Sequence, residues 1–228
     1  MQVKSNPDLK SKPFSNFAFL FSQPMNVSVL EISSVLGLCA VVTLSINFLL
    51  GLMLSTAYRR SVYWKRLPQK IQKLNLQQVH NWTAYVAFAL ILIHPLILLL
   101  DKSTKFFTAD ILVPFHSSYQ TIWTALGVIS LYLVILVIIT TQKFIKKRLG
   151  FRVWKNIHLI SYGTALLMCL HGIFLDPELK NRIPDFFDGE KLICEVCLLI
   201  IIVTSITRLV FYRRQPKLRN DAVVVEIK

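Results

Sequence analysis

A chain of 228 residues of which 54% are hydrophobic and only 17% are charged lies far from the composition of a soluble globular domain. The formal net charge of +14 would suit a nucleic-acid partner, but the basic residues are grouped loop by loop between apolar stretches, a pattern of membrane orientation and not of a phosphate-binding face. Composition therefore argues against a soluble enzyme and against nucleic-acid binding, and for an integral protein of a lipid bilayer.

Residues 1–27 read as a mature tail, interfacial at most, because the short FAFLF run at 17–21 has no convincing cleavage site behind it. Five apolar stretches then approach or exceed the roughly 20 residues needed to cross a bilayer, at about 30–57, 76–100, 120–141, 155–175 and 191–212. Each is expected to be helical, since lipid offers backbone groups no partner outside the segment itself. The predicted fold is thus an all-α integral membrane bundle of about five transmembrane helices, a single domain over 28–212 followed by a short cytoplasmic tail over 213–228.

The loops orient it. Segment 57–75 carries Arg59, Arg60, Lys65, Arg66, Lys70 and Lys73 with no acid, and segment 142–155 carries Lys143, Lys146, Lys147, Arg148, Arg152 and Lys155 with no acid. Arg213, Arg214, Lys217 and Arg219 follow the last span. Loop 101–119 balances its charges and 176–191 is net acidic. Positive loops stay inside, so the N-terminus is expected out and the C-terminus in, with Trp64 and Trp154 in the aromatic belt at the inner headgroups.

Four of the five histidines fall into spaced pairs. His80 and His94 in the second span have thirteen residues between them, and His158 and His171 in the fourth have twelve. Both spans enter from the cytoplasm under this topology, so His80 matches His158 in depth near the inner surface, and His94 matches His171 nearer the outer one. At 1.5 Å per residue the two levels lie about 20 Å apart. A pair of neutral imidazoles at each level is what a six-coordinate b-type haem held between helices requires, and two stacked, non-covalent haems b are the expected cofactors. One geometric difficulty stands. Fourteen steps of 100° bring His94 within about 40° of His80, whereas thirteen leave His171 about 140° from His158. An overwound turn at Gly163, or different rotamers, would absorb the difference.

The two histidine pairs, the W..IH..SY lead-in at 154–162 and the ALGVISLYLVILVIITT span followed by a basic turn resemble the ferric reductase-like transmembrane domain. That family includes the ferric reductases, the NADPH oxidases and the haem-binding subunit of a bacterial methionine sulfoxide reductase. The resemblance covers about 76–212 and extends to the one-residue asymmetry between the two helices. It implies that His80 and His158 hold the iron of an inner haem, and His94 and His171 that of an outer one. It also implies a transmembrane electron conduit, an oxidoreductase component, in the bacterial inner (plasma) membrane. Many relatives continue into a flavin and nicotinamide domain. This sequence stops about sixteen residues after its last span and its seven glycines form no dinucleotide-binding loop. Electrons are then expected from a partner, either a separate cytoplasmic flavin reductase or a membrane quinol, and go to an extracytoplasmic acceptor: a ferric chelate, oxygen or a partner protein.

Other residues carry weaker signals, and no catalytic residue is singled out. His116 reads as an ordinary outer-loop polar group, with a propionate or substrate contact as its alternative. Cys194 and Cys197 resemble a redox or zinc pair but have no second pair and no following histidine for covalent haem attachment, so packing is the simpler role. Cys39 and Cys169 fall mid-span and also read as packing, and Glu195 as an interfacial charge, with a proton carrier as its alternative. Two rival functions remain open: a membrane subunit serving an extracytoplasmic oxidoreductase such as methionine sulfoxide reductase, and a non-redox transporter or assembly factor. A transporter would more usually show internal repeats and helices broken at the midplane, and Pro95 is the only proline within an expected span.

Overall fold

The computed structural model describes residues 28–101, 106–175 and 187–226, with side chains through 214. The tail over 1–27 and most of the 176–191 loop lie outside these residues. Five long helices carry the architecture: α1 (Val29–Ser55), α2 (Leu76–Ile97), α3 (Thr121–Thr141), α4 (Lys143–Phe174) and α5 (Gly189–Glu226). Each is long and apolar enough to cross a membrane, and no more than 33% of any apolar window is buried by the protein itself. The remaining apolar surface needs lipid, so the chain is an all-α multi-pass membrane protein. α5 continues as helix through much of the segment read as a tail.

Local chemistry sets the helix ends. Ser28 and Glu31 form a reciprocal capping box at the start of α1, with the Ser28 hydroxyl accepting from the Glu31 N–H at 3.1 Å and the Glu31 carboxylate from the Ser28 N–H at 2.8 Å. Asn75 caps α2. Pro95 withholds a donor in the last turn of α2, which tightens into a 3₁₀ turn over Leu98–Leu100. α4 has one break, at Gly150 (φ 74°, ψ 161°), a positive φ open to glycine and strained for other residues. It separates the basic turn Lys143–Leu149 from the span proper.

Beyond Gly150, α4 keeps helical φ/ψ throughout, Gly163 included, and His158 and His171 nevertheless each meet a histidine of α2. Trp64 is only 4% exposed, with the ring of Tyr58 and the guanidinium of Arg59 against it. Cys39 is exposed on the outside of α1, so it packs against lipid and not inside the bundle.

α1 packs along α2 and α5, and α4 along α3 and α5, while α2 and α3 touch lightly. The helices therefore run α2, α1, α5, α4, α3 around the bundle, and α2 and α4 face one another across its middle. One apolar cluster joins Val41 and Phe48 of α1, Ala165 and Cys169 of α4, and Cys197 and Ile201 of α5. A second layer, Ala40, Ile91 and Leu131, lies between α1, α2 and α3. Along the α1–α2 contact, Ser33, Gly37, Ala40, Asn47 and Gly51 put small or polar side chains on one face at helical spacing. Small residues allow close backbone approach where no hydrophobic effect drives helices together.

Candidate functional site

The space between α2 and α4 holds two cavities, one above the other. The first, about 1010 Å³ including space open to the surroundings, is lined by His80 and His158. The second, about 1270 Å³ on the same measure, is lined by His94 and His171. Ile91 lines both cavities and belongs to the apolar layer with Ala40 and Leu131, so hydrocarbon separates them.

The four imidazoles meet in pairs as their depths predicted. Ring centroids of His80 and His158 are 6.4 Å apart with planes at 77°, and those of His94 and His171 are 6.3 Å apart with planes at 78°. A metal–imidazole bond is about 2.0–2.1 Å and a ring nitrogen lies roughly 1.1–1.2 Å from its own centroid, so two imidazoles facing across one metal ion have centroids about 6.3 Å apart. Contact between bare rings would not demand that spacing twice.

Hydrogen bonding orients three of the rings. Nδ1 of His94 donates to the Ser33 carbonyl at 2.7 Å, Nδ1 of His80 to the Asn47 carbonyl at 3.2 Å, and Nδ1 of His171 to the Trp123 carbonyl at 2.7 Å. A carbonyl only accepts, so Nδ1 carries the proton and Nε2 keeps its lone pair for a ligand role. Such outer partners orient a metal-binding imidazole and raise its basicity.

Each of these carbonyls lies four residues before a glycine: Ser33 and Gly37, Asn47 and Gly51, Trp123 and Gly127. A helical carbonyl already bonded within its helix can accept a second donor only if the next turn leaves room. Cβ atoms built at Gly37, Gly51 and Gly127 would come within 3.1, 3.4 and 2.8 Å of the rings of His94, His80 and His171 respectively. The α1 contacts are reciprocal. Ser33 Oγ donates to the His94 carbonyl at 2.9 Å, and Asn47 Nδ2 donates to the His80 carbonyl at 2.6 Å and to Thr83 Oγ1 at 2.8 Å. Asn47 to Ser33 is fourteen residues, as are Gly51 to Gly37 and His94 to His80. Sequence reading missed this clasp, although the matched fourteen-residue spacing of glycines in the first span was a visible signal.

His158 is the exception. Its buried Nδ1 has no hydrogen-bond partner, and neither has the buried Nε1 of Trp154. Trp154 stacks on the His158 ring with centroids 5.4 Å apart and planes at 18°, and the Lys146 ammonium stands 3.6 Å above Trp154. Stacking thus replaces the carbonyl as what holds this ring.

His116 stands outside the second cavity and is paired with Asp110 at 2.8 Å. Asp110 is buried, lines the cavity and also accepts from the Phe107 N–H at 2.8 Å. Glu190, which accepts from Ser34 Oγ at 2.6 Å, and the buried Lys191 complete a polar group there. Cys169, Cys194 and Cys197 are buried free thiols between α4 and α5, while Glu195, half-buried, lines neither cavity.

Five apolar helices surround two cavities, each lined by a pair of imidazoles, in a membrane protein. The sequence profile of the ferric reductase like transmembrane component matches residues 36–169, more than half of the chain, and the chain belongs to that family. The match takes in His80, His94 and His158 and ends two residues before His171. No curated protein matches the sequence. Family membership makes the chain a membrane electron-transfer component of a kind that generally binds haem and works with redox donors. The residues present fit that group: imidazole nitrogen donors in opposed pairs, with ring separations matching two imidazoles across one iron, each pair lining a cavity.

Proposed function

We propose that the chain holds two non-covalent haems b, on His80 and His158 and on His94 and His171, and carries electrons one at a time across the membrane. The observation that carries this is the pair of equal imidazole separations, 6.4 and 6.3 Å, with Nε2 left free on three of the four rings. Bound there, haem supplies one-electron redox chemistry. The protein's own part is orientation and exclusion. The carbonyls of Ser33, Asn47 and Trp123 hold three imidazoles in one tautomer. The Ala40, Ile91 and Leu131 layer keeps water out of the gap between the two levels.

Direction follows from the charge of the loops. With the three basic segments in the cytoplasm, the N-terminus lies outside, the C-terminus inside, and the His80–His158 level nearer the cytoplasm. An electron moving outward then gains about 2.3 kcal/mol per 100 mV of membrane potential. The donor is a separate cytoplasmic flavin reductase or a membrane quinol, the acceptor lies outside, and the setting is a bacterial inner membrane. Residues 28–212 form the haem domain.

The absorption spectrum and haem content of the purified protein test this directly. Wild type is expected to carry two acid-extractable haems per chain with low-spin spectra. His158→Ala and His171→Ala should each keep about half, since their levels are separated by about 20 Å of helix. His158→Ala should still be reduced by dithionite yet lose reduction from the cytoplasmic side. A colourless protein from haem-sufficient cells, or two variants with undiminished haem, would overturn the assignment.

A further inference from the structure

α5 contributes no histidine to either cavity, yet it sends a cation into the first. Arg208 is the only charged side chain among the described residues lining the His80–His158 cavity. Its guanidinium donates to the Tyr162 hydroxyl at 3.0 Å, with Cζ 5.4 Å from the centre of that ring. No carboxylate is paired with it: the only ion pair among the described residues is His116–Asp110, which belongs to the other level. Arg213 and Arg214 further along the helix are exposed and need no explanation beyond topology. Arg208 differs from them, being half-buried and turned onto the bundle at Tyr162.

A guanidinium offers five N–H donors in a planar fork, and the Tyr162 hydroxyl takes one. Cations within membrane helices are rare and generally face the bundle interior, where they pair. The second cavity is different, because Lys191 there is accompanied by Asp110 and Glu190, so its cation already has anions within the same lining. Among the described residues, only the first cavity holds a positive charge with no anion in its lining.

Resting on the two-haem reading, we infer that Arg208 is the binding site for a carboxylate of the porphyrin seated between His80 and His158. The planar fork matches a carboxylate with two parallel bonds, and Tyr162 holds it in position from α4. Arg208 would thereby fix which way round the porphyrin sits, with its carboxylate edge toward α5.

The test compares hemin with its dimethyl ester, which has the same iron and ring but no carboxylate charge. Full-length protein made in haem-deficient cells and reconstituted in nanodiscs is titrated with each, as wild type and as Arg208→Met. The variant is expected to bind hemin at this level about tenfold more weakly, the factor of one charge-assisted hydrogen bond, and the ester as wild type does. Equal losses for hemin and ester would overturn the inference, since Arg208 would then act on the fold or on a lipid phosphate. No loss with hemin would overturn it too. Should Arg208→Met fail to accumulate, Arg208→Lys should retain the preference for hemin over ester and Arg208→Gln abolish it; equal preference in both would again refute the assignment. Wild type that binds no hemin at all would refute the two-haem reading instead.

Discussion

Replacing Gly127 by alanine separates a positioning role from helix propensity, because the two predict opposite signs. In a helix interior, alanine in place of glycine is favourable by roughly 0.5–1 kcal/mol. Here the added Cβ would lie 2.8 Å from Cε1, 2.9 Å from Nδ1 and 3.2 Å from Nε2 of His171, so the ring has to move off the carbonyl of Trp123. Overpacking of this kind costs about 1–3 kcal/mol, and the lost hydrogen bond about 0.5–1.5 kcal/mol more. The sum exceeds the propensity gain and agrees with the roughly 10–100-fold loss of metal affinity usual when an orienting partner is removed. Gly127→Ala should therefore lose haem at the His94–His171 level, or convert it from low to high spin, while the other level is retained. Haem per chain, with spectra of the oxidised and reduced protein, provides the assay. Gly37→Ala, at 3.1 Å from His94, should be milder, and Gly51→Ala, at 3.4 Å from His80, near wild type. Full haem and unchanged spectra in Gly127→Ala, or equal damage from all three, would refute the reasoning.

Asn47→Leu removes the donors to the His80 carbonyl and Thr83. It should destabilise the α1–α2 contact by about 1–3 kcal/mol and lower haem retention at the His80 level only, as read by thermal release of haem. The near-perpendicular ring planes, 77° and 78°, should give strongly anisotropic low-spin ferric electron paramagnetic resonance signals at both levels, because crossed axial planes leave two iron d orbitals nearly equal in energy. A weakly anisotropic rhombic spectrum would mean parallel rings. Tags placed within 60–72 and 143–150 should be shielded in intact cells and one within 106–118 accessible; the reverse would invert the direction of electron flow.

The five helices and the two levels of histidines were legible in the sequence because both depend on distance along one chain. A bilayer requires about 20 apolar residues of helix, and a rise of 1.5 Å per residue converts histidine spacing into depth. Azimuth was not legible in the same way. An ideal 100° step counted against His171, because helix crossing and side-chain direction enter the answer as much as residue number. Ser33 and Asn47 lie 61 and 33 residues from the histidines they clasp, and no periodicity within either helix names its partner across the contact. The unpartnered Nδ1 of His158, the pairing of the buried Asp110 with the exposed His116, the outward Cys39 and the inward Arg208 likewise depend on which helix lies alongside. Sequence by itself determined that the chain crosses a membrane and that its imidazoles fall into two matched levels. Only the tertiary structure decided which carbonyls orient them, which glycines make room and which cation faces the cavity, because those are contacts between helices whose mutual rotation is set by packing.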